Sequence, residues 1–219
     1  MLKPMVFWGA SGHAKVLREF MHHCGYELVA VFDNNRDTPP PFPDVPLYSG
    51  PEGFDQWKQE DGWPHAAALV AIGGARGRDR HQIQKRLESD GLGAPVVVHP
   101  RAFVAASVMA GSGTQILVNA TLGVEVRLGE GCIVNTSASV DHECVLGHGV
   151  HVAPGATLAG CVSVGDYSLI GPSAVVLPRV RVGQNVIIGA GSVVTRDIPD
   201  NVVAFGAPAR VQRNNLILA

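Results

Sequence analysis

The chain is poor in the residues that mark several protein classes. Only four of its 219 residues are cysteines, and Cys24, Cys132, Cys144 and Cys161 form no CxxC pair. That spacing points to neither a thiolate zinc site nor a redox motif, so no metal is expected. Small buried side chains are the expectation for all four. Aromatics make up 6% and charged residues 16%, with a net charge of −2. So slight a charge gives no electrostatic case for nucleic acid or an anionic membrane as partner. No apolar run approaches the roughly 18 residues of a membrane span. The opening stretch, MLKPMVFWGASGH, carries one Lys and a short apolar run, then enters a glycine turn. A signal peptide has a longer apolar core and a cleavage site. A cytoplasmic protein without membrane insertion is expected.

What is present falls into two segments with different periods. Hydrophobic residues make up 46% of the chain, enough for a real core in one or two domains. Residues 4–98 alternate strand and helix signals. PMVFW reads as a strand and GASGH as a turn. The run to Gly25 reads as a helix with Val16, Leu17, Phe20 and Met21 on one face and Gly25 as its cap. ELVAVFD ends a second strand at Asp33, and residues 35–51, rich in proline, read as a loop. A third strand over 66–74, a helix over 79–91 and a last strand in PVVVHP complete a partly parallel, Rossmann-like unit.

From about residue 100 helical periodicity disappears. Every sixth residue from Val104 to Val194 gives sixteen positions, and all but Ala110 are Val, Ile or Leu. Four residues after each aliphatic stands a small or β-branched residue, the slot that Cys132 and Cys144 share. One residue after it glycine is frequent, as at Gly111, Gly129 and Gly165. A six-residue unit cannot bury its own aliphatic side chain, so coils must stack into a solenoid. In this reading the glycines permit the bend at each corner.

The repeat resembles the hexapeptide of left-handed parallel β-helix proteins, in which three hexapeptides make one triangular coil. Sixteen units make about five coils. The resemblance implies a homotrimer with acyl-CoA held between neighbouring helices. The ending SVVTRDIPDNVVAFGAPAR is similar to the segment that closes hexapeptide acetyltransferases, with Gly206, Ala207, Pro208, Ala209 and Arg210 as its signature. A small domain opening with GASGHAK, followed by such a helix, resembles bacterial sugar acetyltransferases. The UDP-4-amino-sugar N-acetyltransferases of bacillosamine type and the proteins described as sialic acid O-acetyltransferases belong to that group. The implied architecture is a Rossmann-like nucleotide-sugar-binding domain over 1–98, an all-β left-handed helix over 99–200 and a closing tail over 201–219.

The resemblance also assigns sites. Asp141, His142 and Glu143 form an unusual polar cluster in a repeat that otherwise uses Gly, Ala, Ser and Val there. An imidazole suits removal of a proton from an attacking amine. Relatives place a general-base His in an Asn…His-Glu pattern, which maps onto Asn135, His142 and Glu143. Glu143 suits raising the basicity of an imidazole or holding its orientation; adjacent residues of a strand point to opposite faces, so a His from another side or another subunit stands as an alternative partner. His151 matches a His linked to acetyl-CoA, the implied co-substrate; Pro172 and Ala190 match further contacts to it, and Gly189 stands beside Ala190 in a Gly-rich corner expected to bind it. Backbone amides of such corners suit the pantetheine arm. Arg179, Arg181, Arg196 and Arg210 are candidates for the coenzyme's phosphates, each more readily a surface charge. His148 has no counterpart and is expected to be solvated.

GASGH follows a strand and opens a helix, a geometry that favours phosphate. It is not GxGxxG, so it supports a nicotinamide cofactor poorly. Asp33 stands where a ribose is held in dinucleotide folds. By resemblance, Ser11, Gly12, His13, Asp33, Asn34 and Gly73 bind the nucleotide-linked sugar. Arg76, Arg78 and Arg80 form a basic cluster beside them, placed either to meet phosphate or to solvate a helix. The expected activity is acetyl transfer from acetyl-CoA to a nucleotide-linked amino sugar. Transfer to a sugar hydroxyl, and a non-catalytic or zinc-binding scaffold using His142, His148 and His151, remain as alternatives.

Overall fold

The computed structural model describes residues 1–60 and 65–215. Its first part is a parallel four-stranded sheet built from β1 (Lys3–Trp8), β2 (Tyr26–Asp33), β3 (Leu47–Ser49) and β4 (Ala67–Val70), in the order β3-β2-β1-β4. Three helices connect the strands: α1 (Gly12–Met21), α2 (Gly50–Glu60) and α3 (Gly77–Ser89). Alternation along β1 divides the packing. Met5 and Phe7 join α1 in one core, whereas Val6 and Trp8 join α2, Phe32, Phe54 and Trp57 in another. Helix α1 buries Leu17, Phe20 and Met21 as its spacing predicts, but Ala14 takes the fourth buried place and Val16 faces outward. Gly25 caps the run in the left-handed conformation, its N–H donating to the His22 carbonyl.

Two expectations for this part need correction. The stretch expected to be a loop over 35–51 ends in β3 and the first turn of α2. Proline and glycine mask them, since Pro51 sits in the first helical turn, where a missing N–H costs nothing. The apolar PVVVHP run contributes Val97–Val98, which pairs with Gln115–Ile116 and not with the first sheet. It is the first rung of the solenoid.

That solenoid has three flat faces. Each two-residue rung pairs in parallel with the rung eighteen residues on, as Ile133 does with His151, Ser139 with Thr157 and Arg127 with Val145. The repeat is a left-handed parallel β-helix. Its aliphatic and small registers converge into one interior core from Ile116 to Val194. Four polar members of the small register are satisfied by one recurring bond, whereas the buried Ser192 hydroxyl accepts the Gly206 N–H at 3.2 Å. Thr114 Oγ1, Cys132 Sγ, Cys144 Sγ and Ser168 Oγ each donate to the carbonyl fifteen residues on, at 2.7 to 3.2 Å. Burial pushes the Cys132 thiol up to about 12 and Cys144 to about 11, so both stay protonated.

The corner glycines do a different job from the one the sequence implies. Left-handed backbone falls on the third residue after each register position from Ala110 to Ile188, and there the chain mostly uses other residues, Ser137, Glu143 and Cys161 among them. The glycines directly after the aliphatics are needed because coils stack closely. A Cβ on Gly165 would lie 2.5 Å from the Gln184 nitrogen.

The sheet domain sits on the solenoid face that carries Gln115, Ile133 and His151. Val97, Leu117 and Ile133 belong to the same core as Met5, Phe7 and Leu17, so the two parts share buried apolar surface. After the last coil, Val202–Gly206 pairs with Ile187–Ile188 and turns back on Ala209–Asn214, closing the helix with a hairpin.

Candidate active site

The carboxyl ends of β1, β2 and β4 open onto a cleft of roughly 570 Å³. Ser11, His13, Asp33, Asn34 and Gly73 line it, together with Trp8 and Arg76. Gly12, the first residue of α1, does not line it. This is where ligands bind in parallel α/β sheets. The turn is rigid. Asp33 accepts hydrogen bonds from the Ala10 N–H at 2.8 Å and the Asn35 N–H at 2.9 Å, one on each oxygen. Gly9 has φ of 110°, and a Cβ there would strike the Ala71 carbonyl oxygen at 2.7 Å. The N-terminus of α1 and the unengaged Ser11 hydroxyl therefore face a fixed cavity.

Two histidines tie this cleft to the solenoid. His13 Nε2 lies 2.7 Å from Gln115 Oε1, and Gln115 Nε2 donates to the Val70 carbonyl at 2.9 Å. His151 is 5% exposed. Its Nδ1 donates to the Gly74 carbonyl at 3.2 Å, which leaves Nε2 to accept from Asn135 Nδ2 at 3.0 Å. The Asn135 orientation is fixed in turn because its Oδ1 accepts the Thr136 N–H at 2.8 Å. Both ring nitrogens of His151 are thus engaged within the chain, and the ring is neutral.

Burial, then the nearby Arg80 charge, lowers the His151 pKa to about 3; burial lowers His13 to about 4. The unfolded chain takes up these protons near pH 6.5. Stabilisation by His151 is therefore complete above pH 6.5 and is lost as pH falls toward 3, at about 1.4 kcal/mol per pH unit. Urea unfolding at pH 5 is expected to give a stability lower than at pH 7 by about 2 kcal/mol from this residue alone. His151→Gln should flatten that slope, and equal slopes in the two proteins would refute the assignment.

The Arg76–Arg78–Arg80 cluster separates into three environments. Arg76 lines the cleft and pairs with Asp79. Arg78 lies over the Tyr167 ring at 4.8 Å. Arg80 is neither a surface charge nor open to a ligand. It is buried, and its Nε, Nη1 and Nη2 donate to the carbonyls of Gly131, Ile72 and Gly149 at 2.7, 2.8 and 2.7 Å. Gly131 and Gly149 are stacked corners of consecutive coils, so one guanidinium joins β4's exit to two solenoid rungs. His148 is part of the same seam. It accepts the Glu130 N–H at 3.1 Å and stacks on His81 with ring centroids 4.9 Å apart.

His142 and Glu143 stand on another corner. Glu143 is not on a strand but on the left-handed residue of the turn, with φ of 59°. That geometry brings its carboxylate to the preceding side chain, and Glu143 Oε2 lies 2.9 Å from His142 Nδ1 of the same chain. The strand geometry that would set Glu143 and His142 on opposite faces is therefore corrected. Hydrogen bonds from His142, then Cys161, hold the Glu143 carboxyl below its ordinary range. Nδ1–H donates to Glu143 and Nε2 is left as the basic nitrogen. The ring lies across Gly160, one coil on, where a Cβ would meet Nε2 at 2.4 Å. Gly160 and Cys161 were not singled out by the sequence, although both sit eighteen residues after the dyad. Cys161 is only half-buried, unlike Cys132 and Cys144.

Of the remaining coenzyme candidates, Pro172, Gly189 and Ala190 lie on the corner that carries Asn135. Pro172 and Ala190 are exposed and stacked, with the Gly191 N–H on the Pro172 carbonyl at 2.8 Å. The Gly189 N–H is not free for a ligand, because it donates to the Ala204 carbonyl at 2.9 Å. Arg210 is exposed on the closing hairpin. Arg179, Arg181 and Arg196 are exposed as well. Within one chain, Asn135 with His151 and His142 with Glu143 form two separate pairs on different corners. The histidines of the zinc alternative, His142, His148 and His151, are likewise distributed over two corners and a face. Among the described residues no helix is long and apolar enough to cross a membrane.

An α/β domain with an open cleft, docked on a solenoid that carries a His–Glu pair on one corner, defines a two-domain protein of the hexapeptide-repeat class. Residues 5–87 match the PglD N-terminal domain, and residues 161–196 match the bacterial transferase hexapeptide of six repeats. No curated protein matches significantly. Among solved structures, a His-to-Asn variant of perosamine N-acetyltransferase from Caulobacter crescentus, in complex with CoA and GDP-perosamine, is 32% identical with a TM-score of 0.88. The match covers 98% of this chain and 99% of that one. The acetyltransferase domain of PglB from Neisseria gonorrhoeae, in complex with acetyl coenzyme A, is 31% identical with a TM-score of 0.84, over 97% and 100% of the two chains. WeeI from Acinetobacter baumannii is 25% identical with a TM-score of 0.82, over 97% and 100%. The chain belongs to this family, the acetyl-CoA-dependent sugar acetyltransferases built on a PglD-type domain and a hexapeptide β-helix.

Proposed function

We propose that the protein transfers the acetyl group of acetyl-CoA to the amino group of a nucleotide-linked amino sugar, of the 4-amino-4,6-dideoxy type, with His142 as general base. The observation that carries this reading is the full-length likeness to an N-acetyltransferase captured with CoA and GDP-perosamine, on a chain that has both a nucleotide-sized cleft and a solvent-facing His–Glu pair. The α1 N-terminus and Ser11 suit the diphosphate, and Asp33 and Asn34 suit the ribose side of the cleft. A protonated amine has no lone pair. As the sugar nitrogen attacks the thioester carbonyl, its proton passes to His142 Nε2, the carbon–sulfur bond breaks, and the imidazolium returns a proton to the departing thiolate. Glu143 holds the tautomer and stabilises the imidazolium.

The functional unit in this reading is a cytoplasmic homotrimer. The nucleotide cleft and the Asn135, Pro172 and Ala190 corner lie on a different corner from His142, so one copy supplies the base and its neighbour the rest of the cleft. Exposed apolar residues flank the His142 corner: Val124 and Leu177 on it, Phe103, Met109 and Val145 on the adjoining faces. Such side chains are what a subunit contact covers.

Release of free coenzyme A thiol, measured with acetyl-CoA and a panel of GDP-, UDP- and dTDP-linked amino sugars, tests the reaction. Turnover is expected with at least one of them. Turnover only with acceptors that lack an amine would replace N-transfer with O-transfer.

A further inference from the structure

The His142 corner holds one side chain that acetyl transfer does not use. Cys161 follows Glu143 by one coil, and its Sγ donates toward Glu143 Oε2 at 3.6 Å. The same oxygen lies 2.9 Å from His142 Nδ1. One nitrogen, one oxygen and one sulfur donor thus lie within 4.8 Å of one another on a half-open corner. The backbone holds them there. Glu143 and Cys161 occupy equivalent left-handed turn positions, and the Cys161 N–H donates to the His142 carbonyl at 2.9 Å.

We propose that His142, Glu143 and Cys161 form a binding site for a thiophilic divalent metal ion such as Zn²⁺, and that the bound ion arrests acetyl transfer. Zinc bonds of about 2.0 to 2.3 Å in tetrahedral geometry place their donors roughly 3.2 to 3.8 Å apart. The Sγ–Oε2 separation already fits, and the exposed His142 and Glu143 side chains are free to widen theirs. The fourth position faces outward and takes water or a small ligand. Binding releases the thiol proton and moves the imidazole proton from Nδ1 to Nε2. The nitrogen that served as the base then carries a hydrogen and cannot accept another. Of the described residues, a second group, His81, Glu130 and His148, also lies close together. Its donors are already engaged: Lys85 Nζ holds Glu130 Oε2 at 2.7 Å, and His148 Nδ1 accepts the Glu130 N–H. It has no thiol.

The site itself stands on geometry alone; only its inhibitory consequence rests on the catalytic reading of His142. Titration of the intact protein with Co²⁺ separates the two, because a thiolate ligand gives a near-ultraviolet charge-transfer band that His and Glu do not. One equivalent per chain is expected to produce the band in the wild type, and none in Cys161→Ser or Cys161→Ala. Zn²⁺ should inhibit acetyl transfer by the wild type, followed by mass spectrometry of the product and reversed by chelator. Cys161→Ser should keep its metal-free rate and need at least about tenfold more zinc for the same inhibition. No band in the wild type, a band that survives both substitutions, or equal zinc sensitivity would overturn the proposal. A band without any metal-free turnover would uphold the site and refute the transferase reading.

Discussion

His142→Ala is expected to lower the rate of acetyl transfer by about two to four orders of magnitude, the contribution of a positioned general base. The fall should appear in kcat, with the KM values for acetyl-CoA and the nucleotide sugar changed little. His142 is exposed on its corner and belongs to none of the buried cores, so its loss leaves the coil intact. Glu143→Gln should act in the same direction and more weakly, since it keeps a hydrogen-bond acceptor on Nδ1 but removes the charge that stabilises the imidazolium. Steady-state kinetics on the folded variants decides the matter. Full activity in His142→Ala would remove the base assignment whatever the sugar proves to be.

Arg80→Met is expected to produce the largest stability loss of any single substitution outside the cores. The methionine fills similar space but leaves the carbonyls of Gly131, Ile72 and Gly149 without their buried donor. Each unsatisfied carbonyl costs about 1–3 kcal/mol, so a total of roughly 3–9 kcal/mol follows. For a chain of this size that corresponds to a Tm lower by about 6 °C or more. Arg80→Lys should recover little, because a point charge cannot meet three carbonyls that a planar fork reaches together. Burial lowers the arginine's own pKa to about 10, so it remains charged at neutral pH. Thermal unfolding followed by circular dichroism tests this. A Tm within about 2 °C of wild type would show that the sheet domain docks through its apolar seam alone.

These two residues differ in how legible they are. His142 stands out in the sequence because a polar Asp-His-Glu run interrupts a register of aliphatic and small side chains. Arg80 does not stand out. It shares a short stretch with Arg76 and Arg78, and composition cannot tell a cleft-lining arginine from one stacked on Tyr167 or one buried at a seam. Only the position of α3 against the Gly131 and Gly149 corners separates them. The same holds for the cysteines. All four read as inert small residues, and the repeat places Cys132 and Cys144 inside, where a carbonyl fifteen residues on receives each thiol. Cys161 lies outside the small register, one coil after Glu143, and only stacking shows that it faces the dyad.

The sequence by itself determined the solenoid, because a six-residue aliphatic period has one economical solution, coils that stack to bury what no single unit can bury. It also determined the α/β character of the first domain and the cluster at 141–143, since both rest on local period and local composition. The tertiary structure decided what those local rules cannot reach. It placed Val97–Val98 in the solenoid, made the corner glycines a matter of stacked backbone and not of bending, and joined Glu143 to His142 through a left-handed turn. It also buried His151 between Asn135 and Gly74. Each depends on atoms sixteen or more residues apart, or on a backbone angle that residue identity does not announce.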